Sequence, residues 1–104
     1  MRVEWTDYAE MRRDQIADYI FDYFGFKRME KFMQEVDYAV NMLVRSPHIG
    51  PIDPLFNDRS VSYRSIIING LSKLVYRIDN DTIYIVAFWD TRCEPEAQAE
   101  LVKE

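Results

Sequence analysis

Side chains that could bind an anionic group are concentrated in one part of the chain. Between residues 59 and 78 every charged residue is a cation, and one more cation follows the last predicted strand. These cations are Arg59, Arg64, Lys73, Arg77 and Arg92. Guanidinium and ammonium groups bind phosphate and carboxylate oxygens, and they stabilise negative charge that develops during a reaction. The segment therefore suggests a surface that meets RNA or an acidic partner.

Strand periodicity indicates how this positive charge is arranged. Lys73, Val75 and Arg77 alternate with apolar neighbours and are predicted to share one face of a strand. Arg64 shares a face of the preceding strand with Ile66. If helices cover the opposite face, these cations project from an uncovered sheet surface. The simpler alternative, which the pattern alone favours, is the polar outer face of a half-buried antiparallel sheet.

The sequence lacks the residue patterns of other common kinds of active site. His48 is the single histidine and Cys93 the single cysteine, and neither has the neighbours of a nucleophilic site. No spacing of metal ligands occurs, and the three glycines form neither a phosphate loop nor a dinucleotide fingerprint. The acids alternate with apolar residues at helical spacing, as on a solvated helix face. We predict no metal and no cofactor.

Two helices must position the cationic segment. Apolar residues at helical spacing predict a first helix over 8–24, with Thr6 and Asp7 as candidate N-caps and Gly25 at its end. A second helix is predicted over 27–45 and stops before Pro47. The predicted apolar stripes are Ala9, Ile16, Ile20, Tyr23 and Phe24 in the first helix and Met29, Phe32, Val36, Val40 and Leu43 in the second. The short link predicts an antiparallel helical hairpin.

Strands make up most of the remaining chain. A short strand is predicted at 2–5, a loop at 46–60, and strands at 61–68, 73–78 and 82–89. Asn69-Gly70 is a strong hairpin-turn signal. Residues 94–104 are predicted to form a short, acidic helical tail. The order predicts an α+β fold, in which one helical layer packs on a sheet.

Length and composition limit the class of protein. A chain of 104 residues fits one domain over residues 1–104, and aromatics at 14% argue against disorder. The net charge of −5 excludes a globally basic coat for nucleic acid. No apolar run approaches the roughly 20 residues of a membrane span, and the N-terminus is not a secretory signal. A single cysteine fits a reducing cytoplasm, where we expect the protein to act.

The order of these motifs resembles the RelE/ParE superfamily of bacterial toxins, the toxin halves of type II toxin–antitoxin modules, also called plasmid stabilisation proteins. The matching segments are Val3–Ala9, Leu43–Gly50, Tyr63–Ile68, Asn69-Gly70, Lys73–Ile78, Thr82–Ile85 and Trp89–Pro95. The resemblance covers essentially the whole chain. It implies a RelE-like fold, in which a helical hairpin backs a mainly antiparallel four-stranded sheet and the open sheet face is the working surface.

The resemblance also implies roles for the cations. In members that cleave mRNA on the ribosome, basic residues of this face act on the message, and their positions fall on Arg64, Lys73 and Arg92. Arg64 and Arg92 would clamp the phosphate, and a lysine crowded by arginines, with a lowered pKa, would transfer a proton. Arg59 and Arg77 would help to bind the substrate.

Departures from the pattern leave an alternative open. Positions that are basic or aromatic in cleaving members hold Ile66 and Gln98 here. The ParE branch shares the scaffold and inhibits DNA gyrase without nuclease activity, and an inactive member is a further alternative. Because three cations align, we favour a metal-independent mRNA endonuclease that blocks translation.

Both toxin hypotheses, the mRNA endonuclease and the gyrase inhibitor, imply a cognate antitoxin as partner, in a hetero-oligomer. Antitoxins of this class fold on binding and lay a helix or strand across the toxin. Aromatic residues of the helices could supply the groove, although they could equally complete a small core. These residues are Tyr8, Tyr19, Phe26 and Tyr38.

Overall fold

The computed structural model describes residues 1–104 as an α+β fold. Its elements, in chain order, are β1 (Arg2–Trp5), α1 (Asp7–Phe24), α2 (Phe26–Arg45), a short 3-10 helix (Pro54–Phe56), β2 (Arg64–Ile68), β3 (Ser72–Asp79), β4 (Thr82–Asp90) and α3 (Pro95–Glu100). The predicted helical hairpin and the strands are confirmed. No helix has the length and apolar character that crossing a membrane requires.

The helical hairpin begins and turns where its capping residues predict. The Thr6 hydroxyl accepts a hydrogen bond from the Ala9 N–H at 3.2 Å, and Gly25 joins the helices with a φ of +91°, which favours glycine. In the predicted stripe of α2, Phe32, Val36 and Leu43 are buried, and Met29 and Val40 are partly buried against the same core. The predicted stripe of α1 is wrong at its end, because Tyr23 and Phe24 are 72% and 55% exposed. Neither residue packs against the core between the helices and the sheet, whereas Ile16 and Ile20 of the same helix do.

The four strands form one sheet in the order β1-β4-β3-β2. β1 runs parallel to β4, and the other pairs are antiparallel. The predicted strand 61–68 is shorter in the structure and begins at Arg64. The Tyr63 carbonyl instead accepts a hydrogen bond from the Asp53 N–H of the preceding loop. β2 is therefore an edge strand whose first residues are paired to that loop.

Both faces of the sheet are covered. The first core lies between the helices and the sheet and includes Phe32, Val36, Leu43, Leu74, Tyr76, Ile83, Ile85 and Phe88. A second core lies on the other face and consists of Phe56, Tyr63, Val75, Val86, Ala87, Trp89, Ala99 and Val102. The loop and the C-terminal segment supply its cover. The expectation of an uncovered sheet face is therefore wrong for much of this surface.

Candidate functional site

Arg64 and Lys73 lie on opposite faces of the sheet. Directly opposed residues of an antiparallel pair share a face. Arg64 stands opposite Tyr76, which is buried in the helix-side core, whereas Lys73 stands opposite Trp89, which is buried in the second core. Arg77 is on the Lys73 side. The expectation that Arg64 projects from the same surface as Lys73 and Arg77 is therefore wrong.

The length of the β2–β3 loop explains this difference. The hairpin signal Asn69-Gly70 alone predicts a two-residue loop, which would place Arg64 opposite Val75. In the structure Ile68 pairs with Ser72, so the loop also contains Leu71. A shift of one residue moves every side chain of a strand to the other face.

Lys73 is engaged in an ion pair with a buried carboxylate. Its Nζ lies 2.6 Å from Oδ2 of Asp53, whose side chain is 3% exposed, and 5.3 Å from the centre of the Trp89 ring. Burial raises the pKa of Asp53, but hydrogen bonds from Lys73, from the Leu55 N–H and from Ser65 outweigh burial and lower it. The charged neighbour of Lys73 is thus a carboxylate rather than an arginine. Its role in proton transfer stays a prediction.

Arg77 is held by the C-terminal residue of the chain. Its Nε donates to Oε1 of Glu104 at 2.6 Å, and the guanidinium lies 4.4 Å from the centre of the Tyr84 ring. This hydrogen bond raises the pKa of Arg77. The Tyr63 hydroxyl donates to the same carboxylate at 2.9 Å, and burial together with Glu104 raises the pKa of Tyr63. Arg77 therefore fastens the C-terminal segment onto the sheet.

Arg59 is likewise used inside the molecule. Its Nη2 donates to the Ala99 carbonyl at 2.9 Å, and its guanidinium lies 5.1 Å from the centre of the Phe56 ring. Asp58 lies 3.6 Å away. Arg59 thus joins the loop to α3. Its predicted role in binding substrate stays a prediction, as does that of Arg77.

Arg92 lies on the surface at the far end of β4. It is 79% exposed and pairs with Asp90 at 2.7 Å, a contact that raises the pKa of Arg92 and lowers that of Asp90. Asp90 stands opposite Ser72, whereas Arg64 stands opposite Tyr76. Those positions are four residues apart on β3, or about 13 Å at the rise of a strand. The three predicted catalytic cations are therefore not brought together.

Arg64 differs from the other four cations, because no carboxylate is paired with it. Its Nη1 donates to the Gly50 carbonyl at 2.8 Å and to the His48 carbonyl at 3.3 Å. A recess of about 210 Å³ opens beside it and is lined by His48, Val61, Ser62, Arg64 and Ile78. Of the predicted site residues, Arg64 alone both faces an open recess and has no acid that pairs with its charge.

Sequence reasoning missed the acids that neutralise the cations. Asp53 and Glu104 lie far along the chain from Lys73 and Arg77, and no spacing rule pairs them. Asp90 is only two residues from Arg92, so that this ion pair could have been predicted from the sequence. No cluster of three or more His, Cys, Asp or Glu side chains is arranged to hold a metal ion.

A larger apolar groove lies between α2 and the edge strand β2. Its volume is about 610 Å³, and its lining includes Tyr38, Met42, Ile49 and Ile67. Ser65 donates its N–H outward to the Pro51 carbonyl, so the alternation of a strand also directs the Ile67 N–H and carbonyl outward. Of the aromatics predicted to form a partner groove, Tyr19, Phe26 and Tyr38 are exposed, and Tyr8 instead packs against the second core.

Comparisons with known proteins agree with this architecture. Residues 3–95 match the family model described as ParE toxin of type II toxin-antitoxin system, parDE. The chain therefore belongs to the ParE family of toxins of type II toxin–antitoxin systems, and the resemblance to the RelE/ParE superfamily is confirmed. No curated protein matches the sequence.

The fold is also found in solved structures. One of these is described as a chromosomal ParDE TA system from P. aeruginosa, and its matching chain is 20% identical with a TM-score of 0.70. The match covers 86% of this chain and 95% of that chain. The similarity supports the fold.

Proposed function

We propose that this toxin acts as an inhibitor of DNA gyrase through protein contacts, and that it does not cleave mRNA. The observation that argues against cleavage is the ion pair between Lys73 and the buried Asp53. Membership of the ParE family supports DNA gyrase as the target. We therefore favour gyrase inhibition over the mRNA endonuclease that the three aligned cations predicted.

The electrostatics argue against a phosphate-cleaving centre. A nuclease of the predicted kind needs several cations that converge on one phosphate and are free to stabilise its charge. Here Lys73 and Arg77 are paired with Asp53 and Glu104, and Arg64 lies on the other face. An RNA phosphate at Lys73 would also have to approach the Asp53 carboxylate. Binding to a protein surface does not require several free cations that converge on one point.

The cognate antitoxin is proposed to bind at the groove between α2 and β2. The outward-directed N–H and carbonyl of Ile67 supply one donor and one acceptor to which a partner strand can hydrogen-bond. Beside them, Tyr38, Met42 and Ile49 supply apolar contacts. A segment that folds on binding can use both, as in the addition of a strand to a sheet edge.

Two assays with the purified protein test the target. In a DNA gyrase supercoiling reaction, we expect the toxin to inhibit supercoiling. In a translation reaction with mapped mRNA ends, we expect no new cleavage sites. New mRNA ends with unaffected gyrase would overturn the proposal and support the endonuclease.

A variant sharpens the second assay. Lys73→Met removes the predicted proton-transfer group, and Asp53→Asn in the same chain removes the carboxylate that would be left unpaired. If the protein inhibits gyrase, the double variant should retain inhibition. Cleavage that the wild type shows and the folded double variant lacks would instead assign the chemistry to Lys73.

A further inference from the structure

We propose that the recess beside Arg64 binds a carboxylate presented by a protein partner. The recess lies on the helix-bearing side of the sheet, apart from Lys73 and Arg77 and from the groove between α2 and β2. The inference does not depend on gyrase as the target.

The guanidinium of Arg64 is held in a fixed orientation. Nη1 donates to the carbonyls of His48 and Gly50, and the Tyr76 hydroxyl fixes the same loop by donating to the Pro47 carbonyl at 2.6 Å. The Gly50 N–H donates to that hydroxyl at 3.1 Å. Nε and Nη2 of Arg64 take part in none of these bonds. The fork of donors is thus positioned before any partner arrives, which lowers the entropic cost of binding.

The lining of the recess indicates the chemistry of its ligand. The free edge of a guanidinium matches the two oxygens of a carboxylate, and Ser62 and His48 add polar groups beside it. Val61 and Ile78 supply apolar wall, and Val61 is half exposed at the surface. A Glu or Asp side chain flanked by apolar residues fits this combination.

Nucleic acid fits it less well. Affinity for nucleic acid comes from several cations that follow successive phosphates. The other predicted cations are paired with acids or used in packing, and the chain carries a net charge of −5. One isolated guanidinium in an acidic protein selects a single carboxylate rather than a polyanion.

Nitrogen-15 NMR of the arginine Nε groups of the intact protein tests the proposal. The probes are the blocked peptide acetyl-Val-Glu-Val-amide, its Gln counterpart, inorganic phosphate and a uridine dinucleotide. We expect the Arg64 resonance to shift and saturate with the Glu peptide, and the Gln peptide to bind about tenfold more weakly, since it lacks a charge-assisted pair. Tighter binding of phosphate or of the dinucleotide than of the Glu peptide would overturn the assignment.

Variants separate the recess from general charge effects. Arg64→Gln should abolish binding of the Glu peptide, and Arg64→Lys should weaken it because a lysine lacks the fork. Arg2→Gln is the matched control, because it removes one cation from the opposite edge of the sheet and should leave binding unchanged. Equal binding of the two peptides to the wild type, or no shift of Arg64, refutes the proposal even if a variant fails to fold.

Discussion

Arg64 and Tyr76 stand directly opposite each other in β2 and β3, and they hold the same loop from two positions. Arg64 donates to the Gly50 carbonyl, while the Tyr76 hydroxyl donates to the Pro47 carbonyl and accepts from the Gly50 N–H. Tyr76 is fully buried, and burial raises its pKa. The loop after α2 is thus anchored by one cross-strand pair, and the recess beside Arg64 depends on it.

Tyr76→Phe should destabilise the protein by about 1–3 kcal/mol, because it leaves a buried N–H and a carbonyl without their partner. Urea unfolding followed by circular dichroism measures the change. Tyr84→Phe is the matched control, since Tyr84 contacts Arg77 through its ring, and the control should stay within about 0.5 kcal/mol of the wild type. Equal effects of the two variants would contradict the anchoring role.

Gly50→Ala should also loosen this loop. A Cβ at residue 50 would lie 2.7 Å from the Ser65 carbonyl oxygen and 2.9 Å from the Tyr76 hydroxyl, so the backbone must shift. We expect a loss of about 1–3 kcal/mol in the free energy of unfolding, measured by urea titration. An unchanged midpoint would show that the loop adapts without cost.

Lys73→Met should destabilise the protein by about 3–5 kcal/mol, because it leaves the buried Asp53 carboxylate without its cation. Adding Asp53→Asn should recover much of that loss, since no uncompensated charge then remains. Unfolding of the two single variants and the double variant completes a thermodynamic cycle. Additive losses in the cycle would show that the two side chains are not coupled.

The lowered pKa of Asp53 predicts loss of stability in acid. A carboxyl group with a lower pKa in the folded state stabilises the fold fully above its ordinary pKa of about 4, and this contribution is lost as the pH falls through the folded value. Asp90 acts in the same direction. Urea unfolding across this range should show a smaller acid-induced loss for Asp53→Asn than for the wild type. Identical slopes would argue against the shift.

The C-terminal segment should contribute to stability mainly through apolar burial. Val102 is buried in the second core, whereas Arg77 and Glu104 are partly exposed. We expect roughly 1–3 kcal/mol of destabilisation from Val102→Ala and under about 1 kcal/mol from Glu104→Gln. Trp89 fluorescence during urea unfolding, in a Trp5→Phe background, reports both. The reverse order would mean that the ion pair, rather than burial, holds the segment.

The sequence by itself determined the elements and the family. Helical spacing, the Thr6 cap, Gly25 and Pro47 defined the hairpin within a residue or two, because these signals act between near neighbours in the chain. The run of β-branched and aromatic residues after position 63, with its Asn-Gly turn, likewise defined the three-stranded meander. The order of those motifs carried the resemblance to the toxin superfamily.

Only the tertiary structure decided which side chains meet. One additional loop residue, Leu71, placed Arg64 on the helix side of the sheet, because a single-residue shift in register exchanges the faces. The pairing of Lys73 with Asp53 and of Arg77 with Glu104 depends on how the loop and the C-terminal segment fold over the second face. These contacts join residues that are distant in sequence. Local periodicity relates only near neighbours in the chain and therefore cannot predict them.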